Sequence, residues 1–144
     1  MPEKETLERA KEDKREGKAA STQAGEFVRE EIEHVREGKH GARSAKQVIA
    51  IGLSKARRAG VKLPPPKNAS EEVREQAARE TRKASRKGKT SAKRSRASLR
   101  KLKREGHSAA SKTALSRHAR SAAARRSGAS RSRSAKKAAA TRKK

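Results

Sequence analysis

Apolar positions recur with helical spacing in only two stretches of this chain. In GEFVREEIEHVREG, residues 25–38, Val28, Ile32 and Val35 fall at i, i+4 and i+7 with Phe27 beside them, which predicts a helix with one apolar face. In SAKQVIAIGLSKARRAG, residues 44–60, the stripe is Val48, Ile49, Leu53 and Ala56. Ser44 with Gln47 three residues on has the form of a capping box, and Lys55, Arg57 and Arg58 suit the negative end of the helix dipole. Gly52 interrupts the stripe at about 1 kcal/mol relative to alanine, a cost a helix accepts where another backbone or a ligand comes close. Ten apolar residues other than alanine lie between Phe27 and Leu63. They predict a small helical hairpin over residues 24–63.

Outside this hairpin the pattern is polar. Residues 1–23 alternate charge and offer only Leu7 and Ala10 as a stripe, as in a solvated helical arm. Pro64, Pro65 and Pro66 predict an extended spacer at 64–69. SEEVREQAARETRKAS opens on Ser70 as N-cap and changes sign from acidic to basic, so a polar helix is expected over 70–87. Glycines at 17, 38, 60, 88, 106 and 128 follow charged runs and precede Ser, Thr or Ala clusters, the pattern of short helices with glycine stops.

The segment 88–144 is a basic Lys/Arg/Ala/Ser-rich tail. From Thr81 to Lys144 there are 24 Lys/Arg and one acid, Glu105, whereas the first 80 residues hold 18 basic and 15 acidic residues. After Glu80 the only apolar residues besides alanine are Leu99, Leu102 and Leu115. Three leucines cannot offset an ordering entropy of about 1–2 kcal/mol per residue, so the tail is expected to be largely disordered when free. The fold class expected is therefore all-α: short helices with Gly and Ser caps, a small hairpin and a disordered basic tail.

A charge excess of this density calls for a polyanion, and nucleic acid is the leading candidate. With Phe27 the only aromatic, the chain lacks the stacking platforms of single-strand and sequence-specific RNA binders. Phosphate contact to duplex DNA is expected ahead of RNA, without sequence reading. The residues expected to carry it are Lys93, Arg94, Arg96, Arg100, Lys101, Lys103 and Arg104 in one basic helix, Arg117, Arg120, Arg125 and Arg126 in an alanine-rich piece, and Arg131, Arg133, Lys136 and Lys137 beyond it. Neutralisation by phosphates is expected to raise helix content over 91–127. Arg-Ser alternation at 130–134 keeps RNA or ribosome association open, as well as a phosphorylation switch. A disordered protective protein explains the same composition.

Other chemistry is disfavoured. The absence of cysteine removes disulfides and thiolate metal sites. His34, His40, His107 and His118 lack a metal spacing, and Glu30, Glu31 and Glu33 are expected on an exposed face without a pocket, so no catalytic, cofactor or metal site is expected. The run Val48–Ile51 is too short to span a bilayer, two leucines give the basic helix little depth on a membrane surface, and the charged N-terminus is unlike a secretory signal. A cytoplasmic protein of the nucleoid is the expectation, with self-association through 24–63 as a further role for the hairpin.

SAKQVIAIGLSKARRAGVKLP resembles the core of a family of short, basic bacterial proteins of unknown function, which reads roughly KQAIAIGLSEARKAG. A preceding segment ending in a Gly-Lys turn, EFVREEIEHVREGKHGARS here, belongs to the same likeness. It covers about residues 24–66 and departs at Val48, where alanine is common, and at Lys55, where an acid is common. The resemblance implies a bacterial origin and assigns no site. The tail, ending SAKKAAATRKK, is similar in composition to linker-histone-like tails of bacterial nucleoid proteins.

Overall fold

The computed structural model of the chain describes residues 2–86 and 91–143, and every regular element among them is helical. In order these are α1 (Lys4–Arg15), α2 (Ala20–Arg36), α3 (Ala45–Arg58), α4 (Glu71–Ser85), α5 (Ala92–Lys103), a 3-10 turn at Ser108–Ala110, α6 (Lys112–Ala124) and α7 (Gly128–Arg142). Gly17, Gly38 and Gly60 adopt positive φ after α1, α2 and α3, as the glycine-stop pattern predicts. Gly128 instead begins α7, and Gly88 lies outside the described residues.

The hairpin α2–α3 is the centre of the fold. Ser44 accepts a hydrogen bond from the Gln47 amide at 3.2 Å, and the Gln47 side chain accepts one from the Arg43 amide at 2.6 Å. The helices cross where Gly52 meets Val28. A Cβ at Gly52 would lie 2.6 Å from the Val28 Cα and 2.9 Å from its amide nitrogen, so another backbone does come close at this glycine. The buried face of α3 is Ala45, Val48, Gly52 and Ala56. On α2 the fully buried positions are Ala24, Phe27, Glu31 and Val35, one step round the helix from the Val28–Ile32–Val35 stripe. Val28 and Ile32 end up half-buried.

Two clusters make the core. Phe27 packs with Ala10, Ala24, Ala56 and Val61, flanked by Leu7, Leu53 and Leu63; Val35 packs with Ala42, Val48, Ala109 and Ala110. Helix α1 thus contributes Leu7 and Ala10 to the first cluster and buries Thr6 and Asp13. This corrects the solvated reading of 1–23: alternating charge left one face compact enough to lie on α2, where Arg9 Nε reaches Glu26 at 2.7 Å.

Helix α4 folds back onto α3 across the proline segment. Ala77 and Glu80 are buried, Ser54 Oγ donates to Glu80 Oε1 at 2.5 Å, and the buried Arg57 lies 3.5 Å from Glu80 Oε2 while its Nε donates to the Leu63 carbonyl. Arg57 therefore ties down the turn after α3.

The expected disordered tail is overturned over residues 91–143, where α5, α6 and α7 form. Two physical reasons explain it. Alanine is the strongest helix former, and Ser111 and Ser127 each cap a helix by accepting from the amide three residues on, at 3.1 Å. The tail is also anchored, because Ala109 and Ala110 belong to the core, where three leucines had seemed the only apolar resource. Arg36 Nε donates to the Ala110 carbonyl at 2.8 Å, and the amides of Gly41 and Ala42 donate to the carbonyls of Leu102 and Gly106 at 2.9 Å. A Cβ at Gly41 would lie 2.0 Å from the Glu105 carbonyl oxygen, so only glycine admits this backbone contact.

The exposed reading of the α2 carboxylates is corrected as well. Glu31 is 0% and Glu30 2% exposed, with Glu33 left in solvent. A buried carboxylate needs a partner, and Lys55, placed on the facing side of α3, reaches Glu31 Oε1 and lies 3.6 Å from Glu30 Oε1.

Candidate nucleic-acid interface

Every cation singled out in the tail is exposed. Lys93, Arg94, Arg96, Arg100, Lys101 and Lys103 lie in α5 with Arg104 as its C-cap; Arg117 and Arg120 lie in α6 with Arg125 as its C-cap; Arg126 follows, and Arg131, Arg133, Lys136 and Lys137 lie in α7.

Helical geometry sorts them. At 100° per residue the seven cations from Lys93 to Arg104 occupy one half of the α5 cylinder, and Ser95, Ser98, Leu99 and Leu102 occupy the other. Leu102 is half-buried and its carbonyl accepts from Gly41, which fixes the end of α5 against the hairpin. On α6, Lys112, Thr113, Ser116, Arg117 and Arg120 line one shallow cleft. The α7 cations spread around their helix instead of sharing a face. Arg126 turns back onto α7, donating to Ser130 Oγ and O and contacting Ser134 Oγ.

The structure adds residues the sequence reading passed over. Arg79, Arg82, Lys83 and Arg86 converge at the end of α4 around a second cleft. Their spacing, i, i+3, i+4 and i+7, is a one-sided helical pattern and was available in the sequence; the acidic start of the same helix concealed it by giving the segment a mixed charge.

The electrostatics divide at this point in the chain. Half of the Lys and Arg between Lys4 and Arg58 are in ion pairs, among them Arg9 with Glu5 and Glu26, Lys18 with Asp13 and Glu16, Lys39 with Glu3 and Glu37, and Lys55 with Glu31. Hydrogen bonding to Asp13, then Glu16, pushes the Lys18 ammonium well above its ordinary pKa, and bonds to Glu37 and Glu3 raise Lys39. Among the described residues, no Lys or Arg from Arg82 onward is in an ion pair; the one acid of this region, Glu105, faces Arg43 at 3.9 Å. No described helix is long and apolar enough to cross a membrane.

No curated protein and no solved structure matches the chain. Residues 11–68, from the last turn of α1 through α2 and α3 to the proline segment, match a family of unknown function, DUF6496.

Proposed function

We propose that this protein coats duplex nucleic acid, DNA ahead of RNA, through phosphate contacts and without reading sequence. The observation that carries the proposal is the segregation of charge: seven of the 16 Lys and Arg before α4 pair with carboxylates, while among the described residues no Lys or Arg from Arg82 on has an ion-pair partner and all of them face solvent. Uncompensated cations raise the free energy of the isolated chain, and a polyanion relieves it.

Charge density supports the same partner. The seven cations of α5 are spread over about 18 Å of helix, one per roughly 2.6 Å, against one duplex phosphate per about 1.7 Å. A half-cylinder of this density suits a phosphate ridge. The lack of aromatic residues beyond Phe27, itself buried, supports backbone contact over base stacking. The cleft formed by Arg79, Arg82, Lys83 and Arg86 extends the candidate surface beyond the tail.

Binding measured against salt tests the reading. If about 8 phosphates are neutralised, log K falls against log salt with a slope near −7. Equal affinity for unrelated duplexes is expected, with duplex DNA competing better than equal phosphate of RNA or single strands. A salt-independent affinity overturns the proposal, and preference for RNA hairpins reverses the order of partners.

A further inference from the structure

We propose that Glu31, His34 and His40 form a site for one Zn2+-class divalent cation, set between α1, α2 and the turn that leads to α3, with Glu31 and His40 buried and His34 half-buried. Their ligand atoms all lie within 4.8 Å of one another. The residues are close in sequence for a structural reason. Glu31 and His34 are one helical turn apart on the face of α2 turned toward the core, and His40 returns to them after the Gly38 turn ends the helix.

The orientation of the two imidazoles carries the argument. His40 Nδ1 lies 2.9 Å from the Gly41 carbonyl oxygen, which can only accept, so the hydrogen is on Nδ1. Its Nε2 then points at Glu31 Oε2, 3.0 Å away. His34 Nε2 lies 3.1 Å from Glu3 Oε1, and the hydrogen bonds from His34 and Lys39 hold the Glu3 carboxyl below its ordinary pKa. That carboxylate also only accepts, which leaves His34 Nδ1 facing Glu31 Oε1 at 3.5 Å. Each ring thus has an outer acceptor on one nitrogen and turns the other toward the same buried carboxylate. Metal-bound histidines are supported in this way.

An inward ring nitrogen meets this carboxylate favourably only through a proton of its own or through a cation held between them, and the cation satisfies both rings at once. The spacing is within reach of a metal ion: bonds of about 2.0–2.1 Å place neighbouring ligand atoms roughly 3.3 Å apart. His40 Nε2 and His34 Nδ1 stand 3.0 and 3.5 Å from the two oxygens of Glu31, so small side-chain shifts bring both rings and the carboxylate onto one cation.

A second observation comes from Glu30. Its Oε1 is buried and accepts no hydrogen bond, although it lies 3.6 Å from Lys55 Nζ and 3.8 Å from His34 Nε2. The Lys55 ammonium now rests on Glu31 Oε1. Cation entry moves it onto the vacant Glu30 oxygen, a short swing for a flexible side chain, and Glu31 turns to the metal. The exchange gives the unpartnered Glu30 oxygen an ammonium and frees Glu31 for the metal. With Glu3 as outer support, the cation also pins α1 to the hairpin.

Titration of the full chain, freed of metal by a chelator, with Co2+ and Zn2+ tests the site. One Co2+ per chain is expected, with the intense visible bands of four-coordinate N/O ligation, displaced by Zn2+. His34→Ala and His40→Ala abolish the bands, Glu3→Ala weakens binding by about 10–100-fold, Lys55→Met retains or tightens it, and His118→Ala leaves it unchanged. Proton–nitrogen spectra of the wild-type imidazoles answer the question even where a variant fails to fold: Zn2+ must fix His40 as the Nδ1–H and His34 as the Nε2–H tautomer. The absence of saturable uptake overturns the proposal. So does uptake that survives both histidine substitutions, or a pair of doubly protonated rings that Zn2+ leaves unmoved.

Discussion

The α2–α3 hairpin with α1 and α4, and the helices α5 to α7, reach the same secondary structure by different routes. In the first region helices are held by burial: Phe27, Val35 and Val48 are nearly inaccessible, and even charged groups such as Glu31, Arg57 and Glu80 are drawn inside and paired. In the second, α5, α6 and α7 bury no residue. Of these, α6 and α7 rest on alanine propensity and serine caps, and the region is anchored by Ala109 and Ala110 and by the Gly41 and Ala42 amides, which donate to Leu102 and Gly106. Charge has correspondingly different work in the two regions. It fastens helix to helix before α4 and stays uncommitted after it.

The largest effect should come from the buried side. Phe27→Ala should cost about 3–5 kcal/mol in denaturant unfolding, whereas Arg131→Ala on α7 should change stability by no more than about 0.5 kcal/mol. Similar losses at both positions would erase the distinction between the regions.

Next come the two close backbone approaches. Gly52→Ala gains about 1 kcal/mol of helix propensity but forces a Cβ into Val28, so a net loss within the roughly 1–3 kcal/mol of overpacking is expected. Gly41→Ala clashes with Glu105 and Gly106 instead. Hydrogen exchange should then show lost protection at the Gly41 and Ala42 amides while the centres of α2 and α3 stay protected. Simultaneous loss throughout the hairpin would mean that the tail is integral to the first region.

Replacing the seven cations of α5 by glutamine tests the other side. The salt dependence of DNA binding should flatten by about 0.9 in slope for each phosphate contact removed, with the fold intact by circular dichroism. The smallest effect concerns Lys18, whose pKa is raised by Asp13 and Glu16. A group with a raised folded-state pKa stabilises fully below its unfolded value, here about 10.5, and loses that contribution as pH climbs through the folded value. Lys18→Gln should remove this alkaline sensitivity from the α1–α2 turn, read as the change in stability between pH 10 and higher values.

The sequence made the hairpin legible because its period, its Ser44–Gln47 cap and its glycine stops all agree. Gly52 was legible too, as a place where a backbone would approach. The packing of α1 and the folding back of α4 were not, since they depend on very few apolar side chains, Leu7 and Ala10 in α1 and Ala77 in α4, and on long-range ion pairs that leave little local periodicity. The anchoring of the tail escaped for the same reason: Ala109 and Ala110 look like helix filler until Val35, Ala42 and Val48 surround them. The histidine cluster was hidden differently. His34 and His40 have the wrong spacing for a linear metal motif, and only the rotation that buries Glu31 instead of Ile32 brings them onto one carboxylate.

The alanine content of the core has a calorimetric consequence. Ala10, Ala24, Ala42, Ala45, Ala56, Ala77, Ala109 and Ala110 fill positions that larger side chains occupy in most domains, with Phe27 the single aromatic. Unfolding therefore uncovers little apolar surface beside much polar surface, and the two contribute to heat capacity with opposite sign. The increment should fall below the usual 12–15 or so cal/mol/K per residue. A small increment flattens the dependence of stability on temperature, so this chain should melt broadly and resist cold about as well as warmth.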